Sequence, residues 1–251
     1  MTVIERHGMV AVLRLDHGKV HALDDVLLSE LAHCLDEVER SDARAVVLTA
    51  AGRVFSAGVD LQKVLDGGAE YLERMMPVLI SAFVRLFSYP LPVVAAVNGP
   101  AVAGGCILAC ACDRRIMAAG GRIGASELLV GVPFPVSALE ILRWACGDRT
   151  EEVVLSGKLY GSDEAMSVGL AHEVVPSDAL LERALAVAGE LGAVAPEAFR
   201  LAKAQLRRPA IERITVDAPL VDPAVRALWA SAETTASISA QVDRMSARRN
   251  R

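Results

Sequence analysis

"PVVAAVNGPAVAGGCILACACDRRI" (residues 92–116) decides the architecture. Its first part belongs to "LPVVAAVNG" (91–99), an apolar run whose start is marked by Pro90 and Pro92. That is the pattern of a strand buried on both faces. Gly104-Gly105 then opens a helix of small and apolar residues, and "DRRIMAA" (113–119) returns as a strand. A buried strand, a glycine turn, a helix and another strand belong to an α/β layer architecture. The glycines imply that backbone must approach something closely, since no Cβ stands in the way. The next inward side chain, Ile107, is neither an acid nor a base.

The pattern extends in both directions. "MVAVLRL" (9–15) and "RAVVLTA" (44–50) read as strands. Between them "DDVLLSELAHCLDEVERS" (24–41) places Val26, Leu27, Leu31, Leu35 and Val38 near helical period, with Asp24 and Asp25 favouring its positive end. A long helical region runs to about Ser88, broken by Gly67-Gly68 and Pro77. After the glycine turn come a loop-rich segment, "GRIGASELLVGVPFP", helices near 137–146, 150–156 and 163–168, and a last strand at "AHEVVP" (171–176). Helices at 178–192, 196–207 and from Pro223 to about Arg248 complete the chain, with a junction expected at 206–223. Strands fill the first two-thirds, helices the last third. The expected division is a core over 1–195 and a helical C-terminal region over 196–251.

With 251 residues, a formal charge of -5 and a pI near 5.6, the chain can bury a sizeable core and lacks the basic stripe of a nucleic-acid binder. The C-terminal "ARRNR" reads as a solvated helix end. No apolar run reaches the ~18 residues of a membrane span. The five cysteines, at 34, 106, 110, 112 and 146, show no zinc spacing, and Cys106 and Cys110 stand four apart on an apolar helix, where free thiols pack as small hydrophobes. An odd thiol count and the start "MTVIERHGMV", which lacks a signal-peptide pattern, lead to the expectation of a reducing cytoplasm. No metal site is expected.

Chemistry is concentrated in three segments. "FSAGVDL" carries Ala57-Gly58 at a strand-to-loop turn, where main-chain N–H groups are open to a ligand. "NGPAVAGGC" puts a helix N-terminus at Gly104, a site suited to negative charge. Two such turns could aim two N–H donors at one oxygen, an arrangement worth ~3 kcal/mol per donor when charge develops there. The third is Glu127 in "IGASELLVG". An acid in so apolar a setting acquires a raised pKa if buried, which suits proton transfer near neutral pH.

Taken together, "KVHALDD", "RAVVLTAAGRVFSAGVDL", the opening stretch, "IGASELLVGVPFP" and "LSGKLYGSDEAMSVGLAHEVVP" resemble the crotonase family, also called the enoyl-CoA hydratase/isomerase superfamily, over nearly the whole chain. His21 stands where the family commonly has asparagine. The resemblance implies an α/β fold, a spiral of repeated ββα units with a helical C-terminal trimerisation region, and a homotrimer or hexamer. It implies acyl-coenzyme A thioesters as substrates, the coenzyme A arriving with the substrate and no separate cofactor. The N–H groups of Ala57 and Gly104 would hold the thioester oxygen, and Ala57, Gly58, Val59 and Asp60 would line the acyl-CoA channel.

Hydratases of the family hold water between two glutamates, and the first of these falls at Ile107. Glu127, at the second, suffices alone for a 1,3-proton shift. Val102-Ala103-Gly104-Gly105-Cys106-Ile107 and Ile123-Gly124-Ala125-Ser126-Glu127 resemble the Δ3,Δ2-enoyl-CoA isomerases more closely than the hydratases. The tail also lacks the Glu-Gly-Met common in hydratases. The leading expectation is therefore an isomerase with Glu127 as acid and base. One alternative is hydration, or another enolate reaction, with Glu140 turned inward as a second carboxylate; the competing expectation for Glu140 is a buried ion pair with an arginine. The other alternative is an acyl-CoA binder without catalysis.

Overall fold

β-branched and small apolar residues build a six-stranded sheet whose two faces are both covered. The computed structural model describes residues 2–249, and the final two residues of "ARRNR" fall outside them. In chain order the strands are β1 (Val3–His7), β2 (Val10–Leu15), β3 (Ala45–Ala50), β4 (Val93–Val97), β5 (Ala101–Val102), β6 (Arg114–Ala118), β7 (Arg122–Gly124), β8 (Tyr160–Gly161) and β9 (Glu173–Val175). The helices are α1 (Asp25–Glu39), α2 (Leu61–Phe87), α3 (Gly104–Ala111), α4 (Val136–Cys146), α5 (Thr150–Ser156), α6 (Ser162–Ser167), α7 (Leu180–Gly192), α8 (Pro196–Trp229) and α9 (Ala232–Arg249). The large sheet runs β1-β2-β3-β4-β6-β9, antiparallel only between β1 and β2.

Alternation along the strands assigns the two faces. Val12, Val47, Val94 and Ile116 pack on α7 through Leu180, Ala184 and Val187. Leu13, Leu48, Ala95 and Met117 face the larger core, where α1, α2 and α3 lie. In α1 the buried stripe is Leu27, Leu28, Leu31, Cys34, Leu35 and Val38, whereas Val26, an expected core position, is exposed. β1 was not anticipated, because its residues are polar or half-exposed at the sheet edge and give no apolar pattern.

A second, small sheet positions the site. β5 pairs with β7 and β7 with β8, and single bridges Ser56↔Ala101 and Leu23↔Val59 continue the pairing towards the start of the chain. Successive turns of the chain thus give one strand to the large sheet, a short one to the small sheet, then a helix, which is the ββα spiral.

The expected junction at 206–223 is not a break. α8 is continuous through Pro209, Pro219 and Pro223, all three on its exposed side, where carbonyls that lose an N–H partner remain solvated. Its buried stripe is Lys203, Arg207, Ala210, Ile214, Asp222, Val225 and Trp229. Three of these are polar, and each has a partner in the core. Lys203 Nζ and Arg207 Nη2 each lie 2.7 Å from Asp113, and Asp222 accepts the Val136 N–H at 2.9 Å, capping α4. Burial pushes the Lys203 ammonium down to about 8. Among the described residues no helix is long and apolar enough to cross a membrane.

Candidate active site

The bridge residue Ser56 and the short strands β5 and β7 end within three residues of Val59, Gly104 and Glu127 respectively. The Ala103 N–H donates to Gly124 O at 2.8 Å, tying the start of α3 to the strand before Glu127. A Cβ on Gly58 (φ +85°) would lie 2.8 Å from Val102 O, and one on Gly105 would lie 2.8 Å from Ser56 Cβ. Only glycine lets these two backbones come together. Ala103 itself, at φ 51° and ψ -123°, holds a strained non-glycine conformation at the turn.

Gly104 begins α3, so its N–H has no partner within the helix, and none elsewhere among the described residues. The other donor differs from the sequence-based expectation. Ala57 N–H donates to Val20 O at 3.0 Å and is already engaged. Around the Leu23↔Val59 bridge, Leu23 N–H donates to Gly58 O at 2.7 Å and Asp60 N–H to Leu23 O at 3.0 Å. A parallel bridge of this kind turns the N–H of Val59 away from Leu23, and that N–H has no partner among the described residues. The open donor of "SAGVD" is therefore Val59. The sequence motif located the loop, while the one-residue choice within it depends on which edge the 20–23 segment covers.

Asp60, expected in the channel, caps α2 through Oδ1, which accepts the Lys63 N–H at 3.1 Å. His21 adopts φ 48°, is buried, and places Nδ1 3.0 Å from Val54 O, while its own carbonyl accepts the Ser56 hydroxyl at 2.7 Å. It braces the 54–56 backbone.

Glu127 opens a single 3-10 turn, Glu127–Val130. The residue as a whole is partly exposed, but Oε2 is enclosed without a hydrogen-bond partner. Burial pushes its pKa up to about 8, against a smaller downward pull from its own main-chain N–H. The Cys106 thiol on the first turn of α3 is pushed up by its hydrogen bond to Cys110 and by burial. Ile107 is fully buried. Glu140, by contrast, is held on both oxygens: Oε1 by Arg143, and Oε2 by Arg213 Nε at 2.6 Å. It is the buried ion pair joining α4 to α8. All five cysteines are free and buried, and no group of three metal-ligating residues occurs among the described residues.

Two main-chain donors without partners among the described residues and one enclosed carboxyl are thus carried by neighbouring segments joined through the Ser56↔Ala101 bridge and the β5–β7 pair. The chain belongs to the enoyl-CoA hydratase/isomerase family, whose model matches residues 5–221, and is an acyl-CoA enzyme of that family. It is 36% identical over 207 residues to a Thermus thermophilus protein provisionally named an enoyl-CoA hydratase, covering 81% of this chain and 82% of that protein. It is 32% identical over 210 residues to human mitochondrial enoyl-CoA delta isomerase 1, covering 82% and 70%. The crystal structure of human mitochondrial Δ3-Δ2-enoyl-CoA isomerase superposes with a TM-score of 0.91 at 28% identity, covering 98% of each chain.

Proposed function

We propose that this protein is a Δ3,Δ2-enoyl-CoA isomerase acting on unsaturated fatty acyl thioesters. The observation that carries this reading is the solitary Glu127 carboxyl, raised to about 8 by burial, with Ile107 and the doubly paired Glu140 supplying no second carboxylate. Ionised Glu127 removes a proton from C2 of a 3-enoyl thioester. The N–H groups of Val59 and Gly104 stabilise the dienolate oxygen, and the protonated Glu127 returns the proton at C4. One carboxyl makes both transfers, so no water is activated. The relatives named as hydratases keep hydration as the competing activity. Proton NMR with 3-hexenoyl-CoA and 2-hexenoyl-CoA in deuterated buffer separates the readings. The proposal expects interconversion of the two with deuterium entering the acyl chain, and accumulation of 3-hydroxyhexanoyl-CoA would reject it in favour of hydration. Binding with neither reaction would leave a non-catalytic acyl-CoA protein.

A further inference from the structure

We propose that Asp24 and Lys63 form a positioning pair that holds the Val59 N–H on the thioester oxygen; this rests on the oxyanion reading above. Asp24 has a side chain only 1% exposed, yet belongs to no group that performs the chemistry. Its Oδ1 accepts the Leu27 N–H at 2.8 Å and so caps α1. Its Oδ2 is shared by Lys63 Nζ at 2.7 Å and His17 Nε2 at 2.8 Å. A cap needs only one oxygen, so the second is available to tie α1 to α2.

That tie closes a ring around Val59. Leu23, the neighbour of Asp24, is bonded to Gly58 O and to the Asp60 N–H on either side of Val59. Asp60 in turn holds the Lys63 N–H, and the Lys63 ammonium returns to Asp24. The Val59 peptide is thus fixed on both flanks, by Leu23 through main chain and by Lys63 through the ion pair. Beyond Lys63, α2 breaks at Gly68 (φ 54°, ψ -146°), so the segment from Leu61 to Gly67 is separated from the rigidity of the long part of the helix. The carboxylate supplies the restraint that the kink removes. An oxyanion donor must be held within a few tenths of an ångström, and small misplacements cost rate more than binding.

The test uses Lys63→Met, Lys63→Arg and Asp24→Asn, the last keeping an oxygen for the α1 cap while losing the charge. Hexanoyl-CoA labelled with carbon-13 at the carbonyl is bound to each protein, and the carbonyl resonance reports polarisation by the donors without any turnover. In the unaltered protein the resonance moves downfield on binding. In Lys63→Met and Asp24→Asn it returns towards the free position, kcat for 3-hexenoyl-CoA falls roughly 10-fold to 100-fold with KM changed far less, and Lys63→Arg restores both. If the unaltered protein polarises the carbonyl and Lys63→Met and Asp24→Asn do so equally, or if only KM changes, the positioning role is overturned while the oxyanion site stands. If the unaltered protein leaves the resonance unmoved, the oxyanion reading itself fails and this inference with it.

Discussion

In the proposed isomerase, Glu127 couples activity and stability to the same proton. Its carboxyl is raised from 4.5 to about 8 by burial, so between those values the folded chain binds a proton that the unfolded chain releases. The stability this contributes is complete below pH 4.5 and is lost as pH rises through about 8. Glu127→Gln removes the loss, so chemical denaturation of the variant should show a stability gain over the parent that grows between pH 5 and pH 8, by at most about 4 kcal/mol. Catalysis has the opposite dependence, because the base must be ionised. kcat/KM for the double-bond shift should climb with pH, bend near 8 and level off about one unit above it, and a profile flat from pH 6 to 9 would contradict the assignment. The same variant should lose about 10²–10⁴-fold in kcat while holding acyl-CoA nearly as well.

At the scale of elements, close approach is the controlling feature. Gly105 lies against Ser56 so tightly that Gly105→Ala must push α3 off the 54–58 segment. Thermal unfolding should register about 1–3 kcal/mol of destabilisation, and kcat should drop with it because Gly104 moves too. Glu140 offers a contrast. Its two arginine partners are about half exposed, so Glu140→Gln should cost about 1–2 kcal/mol of stability and leave the pH profile of turnover in place. A vanished alkaline plateau in that variant would revive Glu140 as a catalytic group. Most helices and the buried strands were legible because their apolar residues keep period. β1 and the full length of α8 were not. The first has an edge strand's polar pattern, and the second hides its core-facing stripe behind Lys203, Arg207 and Asp222, whose burial makes sense only once Asp113 and the start of α4 are in place.

Across the whole molecule, α8 is docked by charged and apolar residues on one side and exposes apolar residues among charged ones on the other. Val216 and Leu220, one helical turn apart, are 64% and 75% exposed. We propose, from the family resemblance and this exposed pair, that the helical C-terminal region builds a trimer or hexamer; light scattering after size exclusion should then give three or six chains, with Leu220→Glu shifting the mass towards one. The amino-acid order alone determined the alternating strands and helices, the two glycine turns and the isolated acid at 127, since these follow from local periodicity, backbone permissiveness and residue chemistry; that Ile107 stands where hydratases carry an acid came from the family resemblance. Only the tertiary structure decided that Val59 rather than Ala57 keeps an open N–H, that Glu140 is an ion-pair residue, and that Asp24 reaches Lys63. Each of those depends on which distant segment occupies a given hydrogen-bonding group, and that is fixed by packing between turns of the spiral rather than by neighbours in the chain.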